Sequence, residues 1–155
     1  RGKLMKPHIL IVSLSMILLS ANAVAAGNYV DPAQKEIDQK HKALVAKYKK
    51  SCSSNSKVSC LLEAKSKASE DVPNRGSVAY SKSQYGSLNK AQAKNKVKEL
   101  VGLYDKLDGQ SSSSWNGKVT QRQIESEIKW IMSYKLNQSM PDIYTAKMYV
   151  GASLN

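Results

Sequence analysis

The sequence is poor in the residues that build catalytic and metal centres. It contains no phenylalanine, two cysteines and two histidines, and one histidine, His41, lies beyond residues 1–26. A structural zinc site needs about four ligands, and a nucleophilic Ser or Cys arrangement would depend wholly on His41. No glycine-rich phosphate loop or zinc motif is present. We therefore expect no metal, no cofactor and no enzymatic activity, with His41 as a residue at the edge of the core.

The amino terminus has the three-part order of a secretory signal. Lys6 supplies a positive charge, residues 9–19 form an apolar run, and small residues follow. This order predicts that residues 1–26 are an upstream remnant plus a signal peptide, cleaved between Ala23 and Gly27. The alternative is an uncleaved anchor, because the apolar stretch is almost as long as the roughly 20 residues that span a bilayer. Export predicts a periplasmic or secreted protein.

The remainder, residues 27–155, is long enough for one domain and too short for two. The whole chain has 24 basic and 12 acidic residues, a net charge of +12. Such a surface favours acidic partners, although the lysines could simply solvate helix faces. Export makes an acidic protein, anionic lipid headgroups or cell-wall polymer a better partner than nucleic acid, and the lysines are scattered rather than interleaved with aromatic residues. We expect membrane contact only through the signal segment, and the sequence leaves a homodimer open.

Both cysteines lie in the exported part of the chain. An even number of cysteines in an exported protein predicts one disulfide, between Cys52 and Cys60. Its loop of about nine residues should add roughly 2–3 kcal/mol to the stability of the fold. One helix is expected on each side of the disulfide. The first begins with Asp31 as N-cap and Pro32 as its first residue, and the second covers residues 57–69.

Three further helices follow from the spacing of apolar residues. One is expected over residues 88–107, one begins with a capping box at Thr120, and a last one opens at Pro141. Trp130 and Tyr134 lie on the wide apolar face of the fourth helix, which predicts that they belong to the core. No stretch of the sequence alternates between apolar and polar residues as a β-strand would. The predicted fold is an all-α, small, irregular antiparallel bundle of about five helices with one disulfide.

Residues 73–87 show neither a helical nor a strand period and carry turn-forming residues at both ends. A long irregular segment of this kind is either functional or a poorly ordered connection. Arg75, Tyr80 and Tyr85 within it are candidate contacts for a partner protein, since aromatic side chains dominate interfaces. Trp115, after a run of four serines, either folds back onto the core or contacts a partner.

Part of the chain resembles a known family. Residues 117–123, the helix that contains Trp130 and the turn at Pro141 are similar to the final part of the periplasmic immunity proteins of type VI secretion, in the resistance-associated and amidase-immunity group. The helices that carry Cys52 and Cys60 resemble the paired-cysteine half of such proteins. The resemblance implies a small helical periplasmic protein that binds and blocks a co-encoded cell-wall hydrolase.

The function that this resemblance implies is that of a periplasmic immunity protein that inhibits a secreted cell-wall-degrading effector. The alternative function is a periplasmic accessory or assembly factor of an envelope or secretion machine, docking through a basic surface.

Overall fold

The computed structural model describes residues 29–53, 56–109 and 117–152, and every regular element in these residues is an α-helix. The predicted all-α fold is confirmed, but this part of the chain has six helices rather than about five. They are α1 (Pro32–Ser51), α2 (Lys57–Asp71), α3 (Val78–Tyr85), α4 (Lys90–Lys106), α5 (Gln121–Lys135) and α6 (Ile143–Val150). None of these helices is both long and apolar enough to cross a membrane. The predicted signal segment and Trp115 lie outside the described residues.

Helices α1 and α5 begin where the sequence predicts. The Asp31 carboxylate accepts a hydrogen bond from the backbone N–H of Gln34 at 2.9 Å, and Pro32 is the first helical residue. At α5, the Thr120 hydroxyl accepts from the backbone N–H of Gln123 at 3.2 Å. The Gln123 side chain accepts in return from the backbone N–H of Thr120 at 2.9 Å. Such caps satisfy backbone donors that a helix start leaves unpaired, at about 1 kcal/mol each.

The prediction that residues 73–87 are irregular is wrong for their second half, where α3 lies. The Ser77 hydroxyl caps this helix by accepting from the backbone N–H of Tyr80 at 3.1 Å. Tyr80 and Tyr85 are buried, and their rings meet edge to face with centroids 6.3 Å apart. The helix has eight residues, too few to show a clear period or to be stable alone. Packing of its tyrosines therefore stabilises a helix that the sequence pattern does not reveal.

The hydrophobic core is built by the second half of the chain. Helix α4 packs against α5 and α6, and α3 packs against α5. The facing sides of α4 and α5 supply side chains that are almost completely buried, among them Val97, Val101, Ile124, Ile128, Ile131 and Met132. Each large apolar side chain that leaves water contributes about 1.5–3 kcal/mol. These helices therefore form the most stable part of the described molecule.

Helix α6 begins at Ile143 rather than at Pro141, because the Asp142 carboxylate caps its first turn. Ile143 is buried against the core. Lys147, also nearly buried, forms an ion pair with Asp105 of α4 at 2.8 Å. This pair ties the last helix to the centre of the bundle.

Helices α1 and α2 form a hairpin that extends from this core. Helix α1 packs chiefly against α2, and the predicted disulfide between Cys52 and Cys60 is confirmed, with Cα atoms 5.6 Å apart. At the other end of α2, the Nε2 atom of His41 lies 2.5 Å from the carbonyl oxygen of Val72. His41 is half-buried, which matches its expected place at the edge of packed side chains. The hairpin is thus held at both ends.

Periodicity predicts an apolar face of Val58, Leu61, Leu62 and Ala68 on α2, and the face that packs agrees with it only in part, since Ala68 is buried and Leu61 half-buried. Cys60, Ala64 and Ala68 are the buried residues of this helix, whereas Val58 and Leu62 are 67% and 63% exposed. Because the disulfide turns Cys60 toward α1, residues four and eight positions later follow it on the same face. Val58 and Leu62 are therefore turned toward solvent.

Candidate functional site

A buried ion network lies where the hairpin meets the core. Arg75, in the turn before α3, places its Nη1 atom 2.5 Å from the Oδ2 atom of Asp31 at the start of α1. Its Nε atom lies 2.8 Å from the Oε1 atom of Glu127 in the middle of α5. All three side chains are buried. One guanidinium thus joins three segments that are far apart in the sequence.

Glu127 has hydrogen-bond partners on both of its carboxylate oxygens. Its Oε1 atom accepts from the backbone N–H of Gly76 at 3.1 Å as well as from Arg75. Its Oε2 atom accepts from the Tyr85 hydroxyl at 2.5 Å and from Arg75 Nη2 at 3.4 Å. Removing a carboxylate from water costs several kcal/mol unless such partners replace the water. The arrangement therefore fixes α3 and the turn before it on α5.

Burial and charge shift the ionisation of this network away from neutral pH. Burial raises the pKa of Tyr85 well above its ordinary value, and the charge of Glu127 and the hydrogen bond to it raise this pKa further. Burial alone would lower the pKa of Arg75, but Glu127 and Asp31 outweigh burial and raise it. Arg75 stays charged and Tyr85 stays protonated at physiological pH, so neither is suited to proton transfer near neutrality.

The loop before α5 is attached to the same place. The backbone N–H of Asp31 donates to the carbonyl oxygen of Gly117 at 2.7 Å, and the N–H of Gly117 donates to Asp38 at 2.7 Å. Gly117 has a φ angle of +82°, and a Cβ atom there would lie 2.8 Å from Cγ1 of Val30. Both the backbone angle and the close approach require glycine. The start of α1 is thereby fastened to the start of α5.

The structure brings together three of the four residues that the sequence suggested as partner contacts. Arg75, Tyr80 and Tyr85 all belong to this network or pack against it, and all three are buried. The segment predicted to be irregular is in part helix α3, and these three are interior side chains that hold it in place. Their role as partner contacts stays a prediction. Trp115 lies outside the described residues.

Sequence reasoning missed the carboxylates of this network. The sequence pattern identifies Asp31 only as a helix cap and assigns no role to Glu127. A usable signal was present, because Glu127 directly precedes Ile128 and follows Ile124 by three positions on the apolar face. A charged side chain on a buried face requires a counter-charge.

Beside the network, helices α3 and α5 enclose an open groove of about 420 Å³. Val78 of α3 lines it and is 68% exposed, and Tyr134 of α5 lines it and is 69% exposed. Trp130 is half-buried and its ring stacks on that of Tyr134, with centroids 5.1 Å apart. The prediction that Tyr134 belongs to the core is wrong, because the short α3 covers only part of the wide apolar face of α5. An aromatic surface remains open to solvent.

The polar side chains that line this groove are Lys129 and three serines, Ser81, Ser126 and Ser133. Lys129 lines it, and no carboxylate does so among the described residues. The Ser81 side chain, on the α3 side, is 1% exposed, and its hydroxyl has no hydrogen-bond partner in the described part of the chain. A buried hydroxyl without a partner costs about 1–3 kcal/mol. The groove thus combines aromatic surface, one positive charge and one unused hydroxyl.

Within residues 29–53, 56–109 and 117–152, no group of three or more His, Cys, Asp or Glu side chains is arranged to hold a metal ion.

Comparisons of the chain with protein-family models, curated proteins and solved structures gave no match. The function must therefore be inferred from the residues themselves.

Proposed function

We propose that the chain is a periplasmic immunity protein that binds and inhibits a secreted cell-wall-degrading effector. The observation that carries this proposal is the exposed apolar and aromatic surface formed by Val78, Trp130 and Tyr134 on α3 and α5. Aromatic side chains of this kind supply much of the binding energy at protein interfaces. An inhibitor needs such a surface rather than catalytic groups of its own.

The construction of the scaffold supports this role. The Cys52–Cys60 disulfide suits an oxidising compartment such as the periplasm. Arg75 and Glu127 hold α3 against α5, and these are the two helices that carry the exposed surface. A surface that is already rigid loses less entropy when a partner binds. Arg75, Tyr80 and Tyr85 would then contribute by positioning α3, and Trp115 stays a candidate for direct contact.

Host protection tests the proposal. The chain with its own leader would be co-expressed with each envelope-directed hydrolase encoded next to its gene. We expect it to restore survival of a host that produces one of them, because inhibition must occur in the compartment that contains the cell wall. A version that lacks residues 1–26 should not protect, since it stays in the cytoplasm.

A matched pair of variants connects protection to the proposed surface. Trp130→Ala removes the half-buried indole of the groove, whereas Tyr144→Ala removes an exposed aromatic side chain of α6 that does not line it. Protection should fall with the first variant and persist with the second, at equal periplasmic protein levels. Failure to protect against every neighbouring hydrolase, or equal protection without export, would refute the immunity role.

The alternative role as an envelope accessory factor is favoured by a different surface. The far end of the hairpin carries exposed lysines on both sides of the disulfide, namely Lys47, Lys49, Lys50 and Lys57. Clustered positive charge attracts acidic proteins and anionic headgroups, and salt screens this attraction. Binding to isolated envelope fractions should then weaken with added salt and with Lys49→Glu together with Lys50→Glu. Binding that is indifferent to salt and equal in every fraction would exclude this role.

A further inference from the structure

We infer that the groove between α3 and α5 binds an acidic segment of a partner protein. One large apolar side chain of that segment would lie against Trp130 and Tyr134, and a neighbouring carboxylate would pair with Lys129. This inference rests on the proposed function as a binding protein and adds the chemistry of the partner.

The apolar part of the inference follows from exposure and shape. Val78 from α3 and Tyr134 from α5 line the same groove, and each leaves about two thirds of its surface in water. The stacked pair of Trp130 and Tyr134 offers a flat aromatic face beside them. The volume of about 420 Å³ lies in the range of roughly 300–1,000 Å³ that binding pockets have. It is large enough for one or two side chains of a partner and is open at the surface, as a segment of chain requires.

The sign of the partner's charge follows from the groove lining and its surroundings. Lys129 lines the groove, and no described carboxylate opposes it. Arg122 on α5 and Lys82 on α3 are exposed on the helices that form the two walls. Of the acids on α5, Glu127 is buried and paired with Arg75. The half-buried Glu125 lies one turn from Lys129 but does not line the groove. Three exposed cations thus stand against one carboxylate beside the groove. The local field is therefore positive and complements an acidic segment.

Ser81 supplies an independent reason to expect a ligand here. Its buried hydroxyl lines the groove and has no partner among the described residues. Buried polar groups nearly always have a hydrogen-bond partner, and an exception calls for a missing group. Because this hydroxyl is almost completely enclosed, an oxygen of the bound segment would accept its hydrogen bond only where a side chain of the segment enters between α3 and α5.

Other occupants fit these observations less well. A second copy of this chain is itself basic, with 24 basic and 12 acidic residues in the whole sequence, so that like charges would meet at a groove that is already positive. A neutral polysaccharide could stack on the aromatic rings, but it would leave Lys129 without a counter-charge. An acidic protein segment satisfies the aromatic surface, the lysine and the serine together.

Peptide display tests this inference without knowledge of the natural partner. A phage library of random dodecapeptides would be selected against the exported protein, and an enriched peptide would be synthesised for titration. We expect enriched sequences to place Asp or Glu beside Phe, Leu or Trp. Binding of the synthetic peptide should weaken about tenfold or more in Trp130→Ala and in Lys129→Glu, as for side chains that carry an interface. A smaller loss is expected in Ser81→Ala.

Two control variants separate the groove from general effects of charge and surface. Lys98→Glu makes the same charge change on α4, and Tyr144→Ala removes an exposed aromatic side chain from α6. Both should bind the peptide as the wild type does, and thermal unfolding should confirm that every variant is folded. The inference is overturned by an absence of enriched peptides, by enrichment of basic ones, or by equal binding in groove and control variants. Binding of purified peptidoglycan alone, or self-association that Trp130→Ala abolishes, would also overturn it.

The peptide-binding experiment tests the groove assignment and the host-protection experiment tests the immunity role, so that either proposal can fail without the other. If acidic peptides bind the groove but no neighbouring hydrolase is inhibited, the groove assignment stands and the immunity role is lost. If a hydrolase is inhibited equally well by Trp130→Ala and Lys129→Glu, and no acidic peptide is enriched, the immunity role stands and the groove assignment is lost.

Discussion

Helices α4 and α5 bury large side chains such as Ile128 completely, whereas α2 buries Cys60, Ala64 and Ala68 and leaves Leu62 largely in water. The core is therefore stabilised by apolar volume that leaves water. The hairpin has little such volume and is closed instead by a covalent bond near its turn. Two regions of the described molecule thus obtain their stability from different sources.

Buried ion pairs join the hairpin to the core. Asp31 belongs to the start of the hairpin, Glu127 belongs to the core, and Arg75 binds both. Because an ion pair of this kind carries the cost of desolvation, it stabilises only while every member is present. The junction is therefore expected to be the most sensitive point of the molecule.

Removing the shared cation should have the largest effect. Arg75→Met keeps a long side chain but leaves Asp31 and Glu127 buried without a counter-charge. We expect the free energy of unfolding to fall by about 3–5 kcal/mol, as measured by chemical denaturation at neutral pH. The matched control is Arg122→Met on the exposed side of α5, which should change stability by less than about 0.5 kcal/mol. Equal effects of the two variants would show that the network does not join the regions.

Truncation of one apolar side chain in each region should sharpen the contrast. Ile128→Ala in α5 creates a cavity in the core and should cost about 2–5 kcal/mol. Leu62→Ala in α2 removes a side chain that is 63% exposed and should cost less than about 0.5 kcal/mol. If Leu62→Ala proved as costly as Ile128→Ala, α2 would have to pack on its outer face, contrary to the structure.

The sequence predicts the core more successfully than it predicts the hairpin or the network. The apolar rows of α4 and α5 and the cap at Thr120 are local signals, and the structure confirms them. The inward face of α2 follows the disulfide at Cys60, so the prediction from periodicity is right for Ala68 and wrong for Val58 and Leu62. The disulfide to Cys52, which lies outside α2, sets the orientation of this helix about its own axis.

The candidate site was harder to predict for a related reason. Arg75 pairs with Glu127 across 52 positions of sequence, and no local pattern records such a contact. The groove depends on how much of α5 the short α3 leaves uncovered, which is a matter of tertiary packing. Trp130 packs partly against the core, as predicted, whereas the exposure of Tyr134 depends on packing that the sequence pattern does not record.

Loss of the disulfide should act on one region alone. In the double variant Cys52→Ser with Cys60→Ser, the hairpin loses a restraint that contributes roughly 2–3 kcal/mol. We expect faster amide hydrogen exchange in the second half of α1 and the first half of α2, with α4 and α5 unchanged. Reduction of the wild-type protein should reproduce this pattern, whereas a uniform rise in exchange through α5 would show that the hairpin and core unfold as one unit.

The smallest expected effect on stability comes from the phenol of Tyr85, which binds Glu127 at the junction of hairpin and core. Burial and Glu127 raise the pKa of Tyr85 above 10, the ordinary value of a tyrosine. Above about pH 10 the unfolded chain loses this proton while the folded protein keeps it, so the stability that Tyr85 contributes is complete below that pH and declines above it.

Tyr85→Phe isolates this contribution. At neutral pH the variant should be less stable by about 1–3 kcal/mol, because Glu127 loses a hydrogen bond in a buried place. Above about pH 10 the wild type should lose up to about 1.4 kcal/mol of stability per pH unit that the variant does not lose. Denaturation curves at pH values from about 9 to about 11 should therefore show the gap between the two proteins closing. A gap that stays constant across this range would mean that the Tyr85 phenol ionises as readily in the folded protein as in the unfolded chain, and that the junction is more open to water than its contacts indicate.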